Sequence, residues 1–340
     1  MRISSLFFIL FLLLIFAVKA QDVQFSQFYS APLYLNPAFA GSSEMTRVGF
    51  NFRNQWPSLD QTFVVFSAYA DGFIQEKNSG LGLVVNGSRE SFTGFQNSEI
   101  GLLYSYRLRV GEKGFLHMGI QVSYAARSAS FDDIILSTQL DIDRGVITPG
   151  NSLVNPDERQ RSFADLHSGL LYYNEKIWFG ASAHHLLRPE LSFLHDDQFR
   201  LPIKYSFHGG IKFDLESGFI NDYFNNTRQE RTVAIAFNYK NQGVFDQLDV
   251  GTEFYFEPII LGIWYRGLPT QFRLPNNEAL IGLLGITLKK GLDIGYSYDF
   301  TLSQLGWRNS GGAHEVSVRY SFVDEFVNRR QIKRLPTFRY

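Results

Sequence analysis

Apolar and polar residues alternate one by one along most of this chain of 340 residues. In the segment 102–107, Leu102 and Tyr104 fall on one parity, and Ser105 and Arg107 fall on the other. The same alternation recurs at 116–124, 203–214, 232–239, 292–299 and 315–322. Because successive side chains of a β-strand point to opposite faces, each segment predicts a strand with one apolar and one polar face.

The number and length of these segments indicate how the strands assemble. We count about fourteen of them between residues 46 and 322, an even number, as bacterial single-chain barrels have. Many reach roughly ten residues, which suits a strand that crosses a membrane better than the usual five or six. A soluble β-sandwich is the alternative, since its strands also alternate. We predict an all-β fold, a transmembrane antiparallel up-and-down β-barrel over residues 46–322.

The predicted connections support this topology through their lengths. With the N-terminus in the periplasm, short periplasmic turns and longer outer loops should alternate along the chain. Short connections fall at Gly111–Lys113, Asn174–Glu175, Glu257 and Lys289–Gly291, and longer ones at Gln55–Asp60, Ser128–Gln160, Arg188–Arg200, Leu268–Asn276 and Thr301–Gly311. Two connections depart from the rule: 215–230 is long where a turn is expected, and 241–243 is short where a loop is expected.

The first twenty residues predict export. Arg2 precedes an apolar run from Leu6 to Val18, shorter than the roughly 20 residues of a spanning helix. Val18 and Ala20 are small enough for the positions before a cleavage site, so we expect residues 1–20 to be a signal peptide and Gln21 the mature N-terminus. A retained membrane anchor is the alternative.

The composition agrees with a lipid-facing protein. Charged residues make up 19%, below the roughly 25% of ordinary globular domains, while Phe (33) and Tyr (17) are abundant. The net charge of −1 argues against nucleic acid as a partner. With Cys 0, neither disulfides nor a thiolate metal site can form.

Residues 21–45 break the alternation. This segment contains Pro32 and Pro37, so it cannot pair as a central strand, and its many aromatic side chains require burial. We predict a plug or a periplasmic lid that tucks into or under the periplasmic mouth of the barrel; a disordered leader is the alternative. The residues expected to form the plug or to bind a partner are Gln24, Phe25, Gln27, Phe28, Tyr29, Asn36, Pro37, Phe39 and Gly41.

The other end of the chain, residues 323–340, is polar and basic, with Arg329, Arg330 and Lys333 among its cations. An even number of strands returns this tail to the periplasm. A solvated end and a docking surface remain open as its roles.

The predicted lumen face carries charges of both signs, which can pair across a narrow interior. This pattern favours a filled barrel over an open diffusion pore, whose constriction more often has one dominant sign. The residues on this face are Arg47, Arg53, Glu99, Arg107, Arg109, Lys204, Lys212, Asp249, Glu253, Arg266, Asp293, Asp299, Glu315 and Arg319.

Candidate chemistry is sparse, and we expect no catalytic residues, cofactor or metal. Ser182 and His184 share one strand face, but a hydrolase also needs a third group to hold the histidine, and lumen hydrogen bonding is the expected role. His184 and His185 are adjacent on a strand, so their rings should point in opposite directions and share no metal. Asp141-x-Asp143-x-Gly145, in the 128–160 loop, resembles part of a calcium loop but lacks its downstream glutamate, which leaves a weak calcium site open.

Four stretches together resemble the PorP/SprF family of Bacteroidetes outer-membrane proteins. They are QFSQFYSAPLYLNPAFAG at 24–41, RNQWP at 53–57, SAHHLLRP at 182–189 and HEVSVRYSF at 314–322. The first is the most specific, and the others follow in register, so the resemblance covers essentially the whole mature chain.

The resemblance implies an integral outer-membrane protein, processed by signal-peptide cleavage, that works as an accessory of type IX secretion and gliding motility. Such a protein supports the secretion or surface attachment of a partner adhesin and contacts periplasmic secretion components; it is not an enzyme. The alternatives are a passive channel or small-molecule transporter and an outer-membrane esterase or phospholipase.

Overall fold

The computed structural model describes residues 22–129, 140–141, 146–147, 160–192, 200–215, 231–268, 276–288 and 291–322. The expected signal peptide (1–20), the basic tail (323–340) and most of the 128–160 and 188–200 loops lie outside these residues. The side chains of the Asp141-x-Asp143-x-Gly145 motif also lie outside them.

No helix among the described residues is long and apolar enough to cross a membrane.

The described chain consists mainly of strands. In chain order they are β1 Thr46–Gln55, β2 Phe63–Ile74, β3 Ser79–Glu90, β4 Gln96–Val110, β5 Gly114–Ser128, β6 Leu140–Asp141, β7 Val146–Ile147, β8 Gln160–Tyr173, β9 Ile177–His184, β10 Lys204–Asp214, β11 Arg231–Gln242, β12 Phe245–Phe256, β13 Ile259–Arg266, β14 Ala279–Leu288, β15 Leu292–Thr301 and β16 Ala313–Phe322. The helical elements are α1 Pro32–Leu35, α2 Trp307–Ser310 and two 3-10 turns, Pro37–Phe39 and Gln75–Lys77.

Fourteen of the described strands form one closed antiparallel barrel, and only the short pair β6 and β7 stands apart. Neighbours in sequence are neighbours in the sheet, and β1 closes the barrel on β16, with Thr46 opposite Phe322 and Gln55 opposite Ala313. The predicted fourteen-stranded up-and-down barrel is therefore confirmed. Because the barrel is closed, no strand edge in it has a row of unpaired backbone N–H and C=O groups. Lipid, unlike water, could not form hydrogen bonds with such groups.

The two ends of the barrel differ in their connections. We call the end at Thr46 and Phe322 the turn end and the opposite end the loop end. Turns of a few residues, such as 111–113, 174–176 and 257–258, lie at the turn end, whereas the connections 129–159, 185–203 and 267–278 lie at the loop end. Both predicted exceptions also hold, because 215–230 joins strands at the turn end and 243–244 at the loop end.

The barrel wall is apolar outside and polar inside. On β1, Phe50 and Phe52 are 45% and 38% exposed, while Asn51 and Arg53 between them are 0% and 1% exposed. The same order repeats around the barrel, so a wide band of apolar side chains faces outward. Because exposed apolar surface is unfavourable in water by about 25 cal/mol per Å², this outer face requires lipid. A soluble sandwich would bury these faces between two sheets.

The N-terminal segment, described from residue 22 to residue 45, lies inside the barrel. Pro32 opens α1, where its missing N–H is not needed, and the Asn36 side chain accepts a hydrogen bond from the Ala38 N–H to begin the next turn. Asp22 contacts Gln242, at the loop-end terminus of β11, whereas Gly41 contacts Asp71, near the turn end of β2. The segment thus runs the length of the lumen, further than the periplasmic mouth where the sequence led us to expect it.

Candidate functional site

The N-terminal segment is held towards the loop end by a buried charge cluster. The Glu315 carboxylate accepts the backbone N–H groups of Ser26 and Gln27, at 2.7 and 2.8 Å. The Ser26 hydroxyl lies 2.8 Å from the Asp299 carboxylate, which also binds Arg53 at 2.9 Å and Arg266 at 2.7 Å. Buried ions are stable only when paired, so the wall charges and the segment stabilise each other.

Two glutamine side chains extend this polar contact. The Gln27 amide donates to Ser297 Oγ at 3.1 Å and to the Glu315 carbonyl at 3.0 Å, and its oxygen accepts from Ser317 Oγ at 2.7 Å. The Gln24 oxygen accepts from Lys240 Nζ and from Gln247 Nε2, both at 2.8 Å. Two separate pairs of strands, β15 with β16 and β11 with β12, therefore bind nearby residues of the segment.

Aromatic side chains fill the middle of the lumen. The Phe28 ring lies edge-on to Trp264, with ring centroids 5.0 Å apart, and Trp178 Nε1 donates to the Tyr29 hydroxyl at 3.1 Å. Phe25 is 1% exposed and packs with Ala31 and Val65.

Asn36 and Pro37 lie where the backbone of the segment meets the wall. Asn36 Nδ2 donates to the carbonyls of Leu170 and Ala181, at 2.9 and 3.2 Å. The approach depends on glycine: a Cβ at Gly169 would come within 3.2 Å of Pro37 and 1.9 Å of Asn36 Oδ1, and one at Gly119 would lie 2.3 Å from the Ala38 nitrogen. The wall therefore provides a surface without side chains at the point of closest contact.

The segment joins β1 through contacts at the turn end. Phe39 stacks on His208 with ring centroids 5.4 Å apart. The Gly41 N–H donates to Asp71 at 2.8 Å, and Arg47 pairs with the same carboxylate at 2.7 Å. Gly41 has φ +68°, and a Cβ there would lie 2.7 Å from the Cα of Gly80, so this position requires glycine.

The other end of the segment meets a histidine cluster at the loop end. Asp22 Oδ2 lies 2.7 Å from His185 Nε2 and 2.9 Å from Lys204 Nζ. Burial alone would raise the pKa of Asp22, but the charges of His185 and Lys204 outweigh it and hold this pKa well below its usual range. Burial likewise opposes protonation of His185, yet Asp22 and Asp165 raise its pKa to about 9.

The expectation that the rings of His184 and His185 point in opposite directions is wrong. Strand β9 ends at His184, and His185 has φ +63°, a left-handed conformation that turns the chain out of the strand. His184 is buried and His185 is largely buried, and their ring centroids are 6.5 Å apart. Sequence alternation could not reveal this, because it holds only within a strand.

The predicted pairing of mixed lumen charges is confirmed for most of the face. Besides the cluster at Glu315, ion pairs join Arg107 to Glu44, Lys240 to Asp249 and Arg319 to Asp293. Arg109 is an exception, since it is exposed and donates to the Glu112 carbonyl at the turn end.

Ser182 and His184 do share a face, with Oγ and Nε2 3.2 Å apart. Both atoms also contact the Leu35 carbonyl oxygen, at 2.9 and 3.2 Å. A carbonyl only accepts hydrogen bonds, so in this contact Nε2 carries a proton and cannot act as the base for Ser182. This pair binds the N-terminal segment instead.

A family model described as "Type IX secretion system membrane protein PorP/SprF" matches residues 17–320. No curated protein sequence matches the chain.

Several solved structures are similar at low identity. A FadL homologue of Pseudomonas aeruginosa is 11% identical over 84% of this chain and 94% of its own, with a TM-score of 0.43. CdiB from Acinetobacter baumannii is 9% identical over 82% of this chain and 60% of its own, also with a TM-score of 0.43. A TodX deltaS2S3 mutant, a monoaromatic hydrocarbon channel, is 12% identical over 86% and 94%, with a TM-score of 0.42. These scores are too low to bear on the activity of this chain.

Proposed function

We propose the following role for this chain, which belongs to the PorP/SprF family of type IX secretion system membrane proteins and is an outer-membrane component of that system. The barrel is a closed platform whose N-terminal segment plugs the lumen. Its loop end supports the secretion or surface attachment of a partner adhesin, and its turn end contacts periplasmic secretion components.

The observation that carries this proposal is the contact of the N-terminal segment with the wall on all sides. Glu315 of β16, Asp71 of β2 and Lys240 of β11 each bind it, and Trp178 and Trp264 enclose its aromatic rings. A barrel filled in this way offers surfaces for recognition rather than a path for solutes.

The orientation follows from the connections. Short turns of outer-membrane barrels face the periplasm and long loops face outward, which assigns the turn end to the periplasm. The signal peptide 1–20 is then removed during export, the 128–160 and 188–200 loops face the adhesin, and the tail 323–340 faces the periplasmic machinery.

Deletion of residues 22–41 tests this role in cells. We expect the barrel to remain folded in the outer membrane, where folded barrels migrate faster than heated ones on a denaturing gel. We also expect type IX cargo, quantified by mass spectrometry of the cell surface and medium, to lose one or a few proteins. Normal amounts of every cargo protein beside a folded, plug-free barrel would overturn the proposal.

Two alternative functions predict different results in these experiments. A passive transporter would give uptake defects in the deletion strain with unchanged type IX cargo. An outer-membrane esterase or phospholipase would show hydrolysis by the purified protein, lost in a Ser182→Ala variant.

A further inference from the structure

The loop-end histidine cluster has the arrangement of a metal site. One ligand atom each from Asp165, His167 and His185 lie within 4.8 Å of one another. Asp165 and His167 are two residues apart on β8, so both face the lumen, and the left-handed turn at His185 brings the third ring to them. The closest pair, His185 Nδ1 and Asp165 Oδ2, is 2.5 Å apart and shares a hydrogen bond. A metal ion bound there replaces that proton, which is released to the solvent.

The outer nitrogen of each ring is already supported. His185 Nε2 lies 2.7 Å from Asp22 Oδ2. His167 Nε2 lies 2.9 Å from Ser123 Oγ and 3.3 Å from Glu99 Oε1. In metalloproteins the ligating histidine almost always donates its second ring nitrogen to a carboxylate or another acceptor, which fixes the ring and its tautomer. Two histidines with this support lie side by side here. The backbone N–H of His185 donates a long hydrogen bond, 3.3 Å, to Nδ1 of His167, and a bound ion takes the place of that bond.

The cluster also has space beside it. It lines a cavity of about 110 Å³ between the N-terminal segment and the wall, with Asp22, Glu99 and Arg127 on its other sides. That volume holds several waters, since one water needs roughly 10–15 Å³ of such space. Lys204 binds the oxygen of Asp22 that faces His185 Nε2, so its ammonium lies on the outer side of that ring, away from Nδ1.

We propose that Asp165, His167 and His185 bind one divalent transition-metal ion of the zinc class, with its fourth position open to the cavity. Two imidazoles and one carboxylate form a ligand set typical of zinc, and a fourth position held by water is usual when the protein supplies three ligands. Asp22 supports His185 from the N-terminal segment, so the bound ion also fastens the loop-end tip of that segment to β8. The site itself stands whether or not the protein serves an adhesin.

Metal content of the purified full-length barrel tests this site. The protein is prepared in detergent with a histidine-free affinity tag, treated with chelator, and dialysed against micromolar Zn²⁺. We expect one zinc per chain by elemental analysis and, with Co²⁺ as the probe, the visible absorption of a four-coordinate ion. Zinc should raise the thermal midpoint of the protein, since a ligand that binds only the folded state stabilises it.

Variants distinguish this site from surface binding. Asp165→Asn and His167→Gln should each weaken zinc binding at least about tenfold and abolish the cobalt spectrum. Asp22→Asn keeps all three ligands and should weaken binding roughly 10- to 100-fold, as loss of a ligand's supporting partner does. His314→Gln, at an exposed histidine on β16, is the matched control and should change neither. Less than one zinc per chain in the native protein, or equal binding by the His167→Gln and His314→Gln variants, would overturn the proposal.

Discussion

Substitution of Glu315 is the most informative single change with which to weaken the attachment of the N-terminal segment to the barrel wall. The Glu315 carboxylate accepts two consecutive backbone N–H groups of the segment, from Ser26 and Gln27, and the residue is 0% exposed. Glu315→Gln keeps the shape and one acceptor oxygen, but it turns an amide NH₂ group towards the second N–H.

The magnitude follows from the bond that is lost. A hydrogen bond to a charged group contributes about 1.5–3 kcal/mol, so we take about 2–3 kcal/mol for the loss of one. At 1.36 kcal/mol for each factor of ten, the detached state of the segment should become about 30- to 150-fold more populated.

A single introduced cysteine reports the population of the detached state, because the natural chain contains no cysteine. Ser30 is 2% exposed, and a Ser30→Cys background reacts with a soluble maleimide only when the segment detaches. In Glu315→Gln the labelling rate should rise about 30- to 150-fold.

Asp293→Asn is the matched control for this measurement. It neutralises another buried lumen carboxylate, one that pairs with Arg319 of the wall at 2.7 Å, and should leave the labelling rate within about threefold. Equal labelling in the two variants would refute the claim that Glu315 holds the segment.

Three further predictions concern the contact between the N-terminal segment and the barrel wall. Gly119→Ala places a Cβ 2.3 Å from the Ala38 nitrogen, whereas Gly282→Ala meets nothing within 4 Å; the first should expose the segment to added protease and the second should not. Asn36→Ala removes two hydrogen bonds to wall carbonyls, a loss of about 1–3 kcal/mol, and should accelerate cleavage of the segment roughly 5- to 150-fold; an unchanged rate would contradict that contact. Deletion of 22–41 should shift tryptophan fluorescence to longer wavelength, since Trp178 and Trp264 lose their aromatic cover; an unchanged spectrum would mean that the lumen is not filled by these residues.

Strand alternation made the barrel predictable in detail. The strict two-residue period of β4, β5 and β16 is a local property of the chain, and it specifies which face of each strand meets lipid. Turn and loop lengths then indicated the direction of the strands, except at 215–230 and 241–243, where the lengths depart from the rule and only the strand count keeps the assignment. Because lipid covers only the outer face of each strand, apolar and polar residues alternate along the strand with few interruptions.

The path of the N-terminal segment was beyond such reasoning. Its prolines and aromatics indicated burial, but its contacts join residues as distant as Ser26 and Glu315, and no periodic pattern encodes those pairs. The histidine cluster was missed for a related reason. The alternation predicts that His185 is a strand residue, whereas the left-handed turn after β9 brings its ring to Asp165 and Asp22.

Conductance in planar lipid bilayers tests the central claim, that residues 22–45 close the lumen, most directly. The purified native barrel should show no steady single-channel current, and the barrel without residues 22–41 should show discrete, stable openings. Steady currents of equal size from both proteins would contradict a plugged barrel and establish an open channel.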